Sequence, residues 1–177
     1  MTDREPTAEL DPTFSSVDAI ATTWSEARNE LEHAEIFWLA TVRPDGRPHC
    51  TPLIAVWLDA ACWFVKGRTE RKALNLGANP QCVLTTGCND LNSGLDVVLE
   101  GEAEQVTETG VLERVAAAFR AKYPDPFKFT LGDFNGGGGK ALVFRIVPRK
   151  AFGFRHLPKS SQTRFLFTDA WDERQVS

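Results

Sequence analysis

Apolar and polar residues alternate at period two along much of this chain, which predicts a fold built mainly of strands. Ile36 to Arg43 alternates in this way and is rich in β-branched and aromatic residues. Pro44-Asp45-Gly46-Arg47 follows. Proline presets a turn φ and glycine tolerates a positive one, so a hairpin is expected there. The next strand is predicted from His49 to Leu58. After Asp59-Ala60-Ala61 a third runs from Cys62 to Lys66. Links this short leave no room for crossovers, so the three form an antiparallel meander. Further strands are expected at Gln81 to Thr86, Leu95 to Val106, Ala141 to Val147, Lys150 to Phe154 (the last two joined at Pro148) and Thr163 to Phe167. Glu100, Glu102 and Glu104 share one face of the Leu95–Val106 strand and read as a solvated face, not an acid/base pair.

Helical periodicity appears in three places. Thr23-Trp24-Ser25-Glu26 reads as a capping box opening a helix that ends near Ala34, with Trp24, Ala27 and Leu31 on one face. Thr69 reads as the N-cap of a short helix that Asn79-Pro80 stops. Thr107 to Tyr123 is amphipathic, with Val111, Leu112, Val115 and Phe119 on its stripe. Pro124 to Lys140 is expected as a loop containing four consecutive glycines, Gly136 to Gly139. Residues 1–14 read as a flexible tail, 15–170 as one domain and 171–177 as a second tail. The fold class that follows is antiparallel β with helices outside, closed or nearly closed as a barrel.

Composition narrows the partners. The 177 residues carry a net charge of -4, which gives no basic field for nucleic acid. No apolar run is long enough to span a bilayer, and Met1 to Pro12 lacks the apolar core of a signal peptide. The expectation is a cytoplasmic protein without membrane or nucleic-acid partners. Cys50, Cys62, Cys82 and Cys88 form no Cys-x-x-Cys pair and are expected as reduced, mostly buried thiols. With only three histidines at no ligand spacing, no metal site is predicted.

Candidate chemistry concentrates in Lys66-Gly67-Arg68-Thr69-Glu70-Arg71-Lys72. The segment leaves a strand, turns at Gly67 and opens a helix. Arg71 and Lys72 then fall in the first helical turn, where the helix already carries partial positive charge. An anion bound there reverses the sign of that cost. Free amides, a hydroxyl and several cations together suit a phosphate. The bland alternative is a solvated basic turn. Neither the P-loop nor the dinucleotide-binding glycine pattern occurs.

Trp38 to Gly101 resembles the pyridoxamine-phosphate-oxidase-like family of flavin-binding split barrels. The resemblance rests on Ala40-Thr41-Val42, Pro44-Asp45-Gly46-Arg47-Pro48, Thr51-Pro52 and Trp63-Phe64-Val65. It continues through Glu70-Arg71-Lys72-Ala73-Leu74-Asn75-Leu76, Ala78-Asn79-Pro80 and Val97-Val98-Leu99-Glu100-Gly101. It implies a mainly β, antiparallel split β-barrel of the FMN-binding type with a few peripheral α-helices. It also implies a homodimer with cofactor sites across the interface. By the same resemblance, Arg68, Thr69, Arg71 and Lys72 hold the cofactor phosphate, His49 through Ala55 (including Thr51 and Pro52) run along the ring, and Val65 and Lys66 lie beside the ribityl chain. Arg43 and Arg47 extend the basic track. The Arg-Leu-His-type substrate ending of true pyridoxamine-phosphate oxidases is absent. Ser161-Gln162-Thr163-Arg164-Phe165 stands instead, which leaves Thr163 and Arg164 as possible substrate or cofactor contacts and puts vitamin B6 oxidation in doubt.

The implied cofactor is FMN, with coenzyme F420 as the alternative. The implied function is an oxidoreductase passing hydride to or from a small organic substrate. A non-catalytic flavin-binding, storage or sensing module is the rival, and a haem-binding barrel using His33 or His156 a distant third. No side chain is assigned as a catalytic acid or base. His49 is the one candidate proton donor near the ring. Trp38, Trp57, Trp63 and Phe64 are read as core or dimer interface ahead of cofactor stacking.

Overall fold

The computed structural model describes residues 5–125 and 141–167. The expected Gly136 to Gly139 loop and the 171–177 tail lie outside the described residues.

Among the described residues nine strands form one antiparallel sheet: β1 (Thr7–Asp11), β2 (Phe37–Val42), β3 (Pro48–Leu53), β4 (Val56–Leu58), β5 (Ala61–Gly67), β6 (Gln81–Thr85), β7 (Leu95–Val106), β8 (Ala141–Arg155) and β9 (Ser161–Leu166). Three helices accompany them: α1 (Trp24–His33), α2 (Arg71–Ala78) and α3 (Thr109–Lys122). The strand order is β1-β9-β8-β7-β6-β2-β3, with β5 pairing β4 and β8. The split lies along β8. One edge of β8 pairs with β7. The other edge pairs with β5 through Ala141–Ile146 and with β9 through Lys150–Arg155. Among the described residues no pairing joins β3 to β4 or β5, so the barrel stays open there.

The two faces of β5 explain the core. Ala61 to Phe64 are all buried. Phe64 enters the main core and stacks on Phe144 at 5.2 Å, while Trp63 joins a second cluster under α3 with Val115 and Phe119. Trp24, Ala27 and Leu31 of α1 fill the main core beside Phe37, Leu39 and Phe165. The capping box of α1 forms as expected, with Glu26 N–H donating to Thr23 Oγ1 and Thr23 N–H to Glu26 Oε2. Among the described residues no helix is long and apolar enough to cross a membrane.

Several elements differ from expectation for identifiable reasons. Residues 1–14 read as a loose tail, yet Thr7–Asp11 pairs in register with β9 and Pro12–Phe14 forms a short 3-10 turn. The expected His49–Leu58 strand divides into β3 and β4 around Ile54-Ala55. There the Ala55 amide donates to the Tyr123 hydroxyl (3.2 Å), and Lys122 Nζ donates to the Ala55 carbonyl (3.1 Å), so the end of α3 replaces sheet partners. The expected break at Pro148 is a bulge inside one long strand. Lys150 faces Glu100 and Pro148 faces Gly101, leaving Arg149 as the extra residue. A Cβ at Gly101 would lie 2.6 Å from the Val147 carbonyl oxygen, so only glycine allows the strands to close up at this point. Of the four thiols, Cys62 and Cys82 are buried, as expected, and Cys50 and Cys88 are exposed.

Candidate functional site

The cationic segment forms a corner where β5 ends and α2 begins, packed against the β2–β3 hairpin. A turn closes it, Glu70 N–H donating to the Gly67 carbonyl at 3.1 Å. The N-cap of α2 is Glu70, not Thr69, and its side chain makes no cap bond. Glu70 instead folds back. Its carboxylate accepts from the Gly67 amide (2.8 Å) and from Lys72 Nζ (2.9 Å). Thr69 and Arg68 stand exposed on the turn. The sequence missed this because a threonine and a glutamate are adjacent and either can open a helix. The ion pair to Lys72 chose Glu70.

Asn75 fixes where α2 sits. It is fully buried, and its carboxamide Nδ2 donates to Thr41 Oγ1 at 2.9 Å. Thr41 in turn reaches the carbonyl of His49, its register partner on β3, at 3.3 Å. This bond chain sets the first turn of α2 beside His49. Asn75 was not among the predicted site residues. The signal was present, since it is a polar residue on the otherwise buried stripe Lys72, Ala73, Asn75, Leu76.

The electrostatics record the crowding. Burial pushes the Lys66 ammonium down to about 8, and the neighbouring Lys72 adds to the shift against the opposing pull of Glu70. Burial also lowers the His49 pKa, reinforced by Arg43, Lys72 and Arg71. Burial alone would raise Glu70, but Lys72 and the Gly67 amide outweigh it and hold the carboxyl below its ordinary range. Lys72 itself is 8% exposed. Among the described residues no ion pair engages Arg43, Arg68 or Arg71. Arg47 is taken by Asp45 in its own turn at 2.7 Å.

Three of the buried side-chain polar atoms without partners among the described residues belong to this region, and the others, Thr22 Oγ1, Arg145 Nε and Ser161 Oγ, lie elsewhere. His49 Nδ1, Thr51 Oγ1 and Asn75 Oδ1 are buried and make no hydrogen bond. Such atoms are uncommon in folded proteins and call for a ligand or water. His49 and Thr51 share one face of β3, by the period-two rule. The structure thus gathers Arg43, His49, Thr51, Lys66, Arg71 and Lys72, with Arg68 and Thr69 at the rim. The residues fit an anionic ligand with a hydrogen-bonding body.

Other predicted residues lie elsewhere. Pro52 is exposed on the opposite face of β3, and Val65 packs toward the α3 cluster. Thr163 is fully buried, its Oγ1 accepting from the Thr22 amide at 2.9 Å, which ties the chain before α1 to β9. Arg164 pairs with Glu9 of β1. Lys66 lies opposite Leu142 and Arg164 opposite Phe152, far apart along β8, so within one chain Thr163 and Arg164 do not join the corner. Trp63 and Phe64 are core, Trp57 packs edge-on against Trp24 at 5.8 Å, and Trp38 is 43% exposed.

Comparison with known proteins agrees with this architecture. No curated protein sequence matches the chain. Among solved structures, the conserved hypothetical protein Rv2991 from Mycobacterium tuberculosis is 25% identical with a TM-score of 0.64, over 80% of this chain and 89% of that one. A FAD-binding protein from Mesorhizobium loti is 17% identical with a TM-score of 0.57, over 81% of this chain and 95% of that one. An F420 reductase is 18% identical with a TM-score of 0.52, over 70% of this chain and 94% of that one. The last two likenesses carry the fold alone. The family profile for pyridoxamine 5'-phosphate oxidase matches residues 23–153, which include the β2–β3 hairpin, the α2 corner and most of β8. By that match over well more than half its length, the chain belongs to the pyridoxamine 5'-phosphate oxidase family.

Proposed function

We propose that the α2 corner holds the phosphate of a flavin-type cofactor, FMN first and coenzyme F420 as the alternative, and that the protein is an oxidoreductase acting on a small organic molecule. One observation carries the reading. Arg43, Arg71, Lys72 and Lys66 outnumber the carboxylates near them, Glu70 beside the lysines and Asp45 beside Arg43, and they lie by buried polar atoms that lack partners. A fold gains nothing from such crowding by itself, and a bound phosphate relieves it. The FAD-binding and F420-reductase relatives of the same fold are consistent with the choice. FMN leads because F420 asks for a longer basic track and Arg47, which would extend it, is engaged by Asp45.

In this reading Arg71 and Arg43 bind the phosphate from solvent-facing positions and Lys72 from below, with Glu70 holding the Lys72 ammonium in place. Arg68 and Thr69 close the rim. His49 Nδ1 and Thr51 Oγ1 orient the ring system through hydrogen bonds. The cofactor supplies hydride transfer when bound. Among the described residues β3 ends the strand order with one edge unpaired, so a second copy of the chain is proposed to complete the site as a homodimer.

The test is titration of the purified full chain with FMN and with F420, followed by absorbance and fluorescence, with sedimentation to read the oligomeric state. Saturable micromolar binding of one cofactor, weakened in Arg71→Ala, is the expected result. Binding of neither removes the proposal. Binding without reoxidation of the reduced cofactor by any tested small acceptor would favour a storage or sensing module over an enzyme.

A further inference from the structure

The start of β7 pairs with the end of β8, Leu95 against Arg155. That register brings together Cys88, Asp96 and His156, whose donor atoms all lie within 4.8 Å of one another. The proposed cofactor site uses none of them. Cys88 Sγ lies 3.5 Å from His156 Nδ1. His156 Nε2 lies 3.0 Å from Asp96 Oδ2, and Asp96 Oδ1 accepts from the Cys88 amide at 2.8 Å. His156 Nδ1 also faces the main-chain carbonyl of Asp90, and Sγ lies 3.6 Å from that of Ser93.

We propose that this cluster is a binding site for a thiophilic divalent cation such as zinc, with Cys88 Sγ and His156 Nδ1 as ligands and Asp96 as the carboxylate that orients the imidazole. The spacing fits. Zinc–sulfur and zinc–nitrogen bonds of about 2.3 and 2.0–2.1 Å, set at a tetrahedral angle, separate sulfur from nitrogen by about 3.6 Å. The polarity fits as well. With Nε2–H given to Asp96, Nδ1 presents a lone pair, and it faces a carbonyl oxygen that also can only accept. A cation held by Nδ1 and the sulfur would use that lone pair, with the carbonyl turning aside. The Asp96–His156 contact is the usual support for a metal-bound histidine.

The surrounding loop is built to hold this arrangement. Asp90 accepts from the Asn92 amide (2.9 Å) and the Ser93 hydroxyl (2.8 Å), and the His156 amide donates to the Gly94 carbonyl (3.0 Å). Gly94 has φ +112°, and a Cβ there would lie 2.6 Å from Cys88 Sγ. The sulfur therefore has its place only because residue 94 is glycine. Cys88 is exposed, so the remaining coordination positions open to solvent. Binding releases the thiol proton to water and leaves a thiolate on the ion. The rival occupant of Nδ1 is a proton.

The experiment uses the untagged full chain, stripped of metal, titrated with Co²⁺ and then Zn²⁺. One equivalent of cobalt should give a thiolate-to-metal absorption band that zinc abolishes. Cys88→Ser and His156→Gln should lose the band, while Cys50→Ser, which removes the other exposed thiol, should keep it. Asp96→Asn should weaken affinity about 10–100-fold. Melting curves check that each variant folds. In the unaltered protein, one equivalent of zinc should slow alkylation of Cys88 and leave Cys50 unaffected, an arm that needs no substitution. No band, a band that survives in His156→Gln, or unprotected Cys88 would overturn the site and leave a thiol beside a protonated imidazole.

Discussion

The sheet carries charge in two opposite ways. On the outer face of β7 and β8 every acid meets a base. Glu100 pairs with Lys150 at 2.8 Å, Glu102 with Arg149 at 3.0 Å and Glu104 with Arg145 at 2.6 Å. Two of these pairs are direct register partners, Glu100 with Lys150 and Glu104 with Arg145, so strand pairing alone sets them up. At the α2 corner, in contrast, Lys66, Lys72, Arg71 and Arg43 outnumber the nearby carboxylates, Glu70 and Asp45, and burial, reinforced by the neighbouring cations, lowers both Lys66 and His49. Paired charges on a sheet face are explained by the fold. An excess of cations beside unpartnered polar atoms is not explained by strand pairing in this way, and it is there that a ligand is proposed.

That contrast can be broken most sharply at the arginines. Arg43→Ala/Arg71→Ala should weaken FMN about 100-fold or more, since a hydrogen bond to a charged group is worth roughly 1.5–3 kcal/mol. Its melting temperature should stay level or rise, because two mutually repelling cations are gone. A variant that loses stability while keeping affinity would place these arginines in the fold, not the site.

A smaller effect is expected from pH. Lys66, facing Lys72 and Glu70, carries its charge below about 8 in the free protein and loses it above. Phosphate binding favours the charged form. Affinity should therefore be full below pH 8 and fall as pH rises beyond it, by up to tenfold per unit as the limiting slope for one proton. The second phosphate ionisation, near pH 6, lies below this window. Lys66→Gln should bind more weakly and lose the slope. In the free protein the same depressed pKa means that the unfolded chain holds more protons between about 8 and 10.5, so this group adds stability as pH rises through that range. A flat affinity profile from pH 7 to 9.5 would detach Lys66 from the phosphate.

How much of this was legible in the sequence follows from how local each signal was. The capping box at Thr23 and Glu26, the Pro44–Arg47 hairpin and the full span of β7 are written in adjacent residues, and they form as read. β1 was overlooked because the alternation of Thr7–Asp11 spans only two apolar residues, Ala8 and Leu10, and its partner, β9, lies at the far end of the chain. Pro148 misled because a proline inside a strand ordinarily ends it, and the compensating Gly101 stands on another strand. The basic segment of the corner was readable as a run of letters. Its docking through Asn75 and Thr41 was not, since that depends on a helix crossing a hairpin. Cys88, Asp96 and His156 were set apart by their spacing, and the β7–β8 register and the hydrogen bonds of the loop before β7 join them.

The smallest effect tests the other half of the comparison. Arg145 lies over the Trp63 ring at 5.9 Å as well as beside Glu104, so a single substitution would mix two losses. A double-mutant cycle with Glu104→Gln and Arg145→Gln isolates the ion pair. Glu104 is well exposed and Arg145 partly so, and the coupling should be only about 0.2–1 kcal/mol, shrinking further as salt is raised. FMN affinity should be the same in all four proteins of the cycle. If removing Glu104 or Arg145 changed that affinity as much as removing Arg71 does, then the paired face would belong to the binding surface, and pairing would no longer separate charges that serve the fold from charges that serve a ligand.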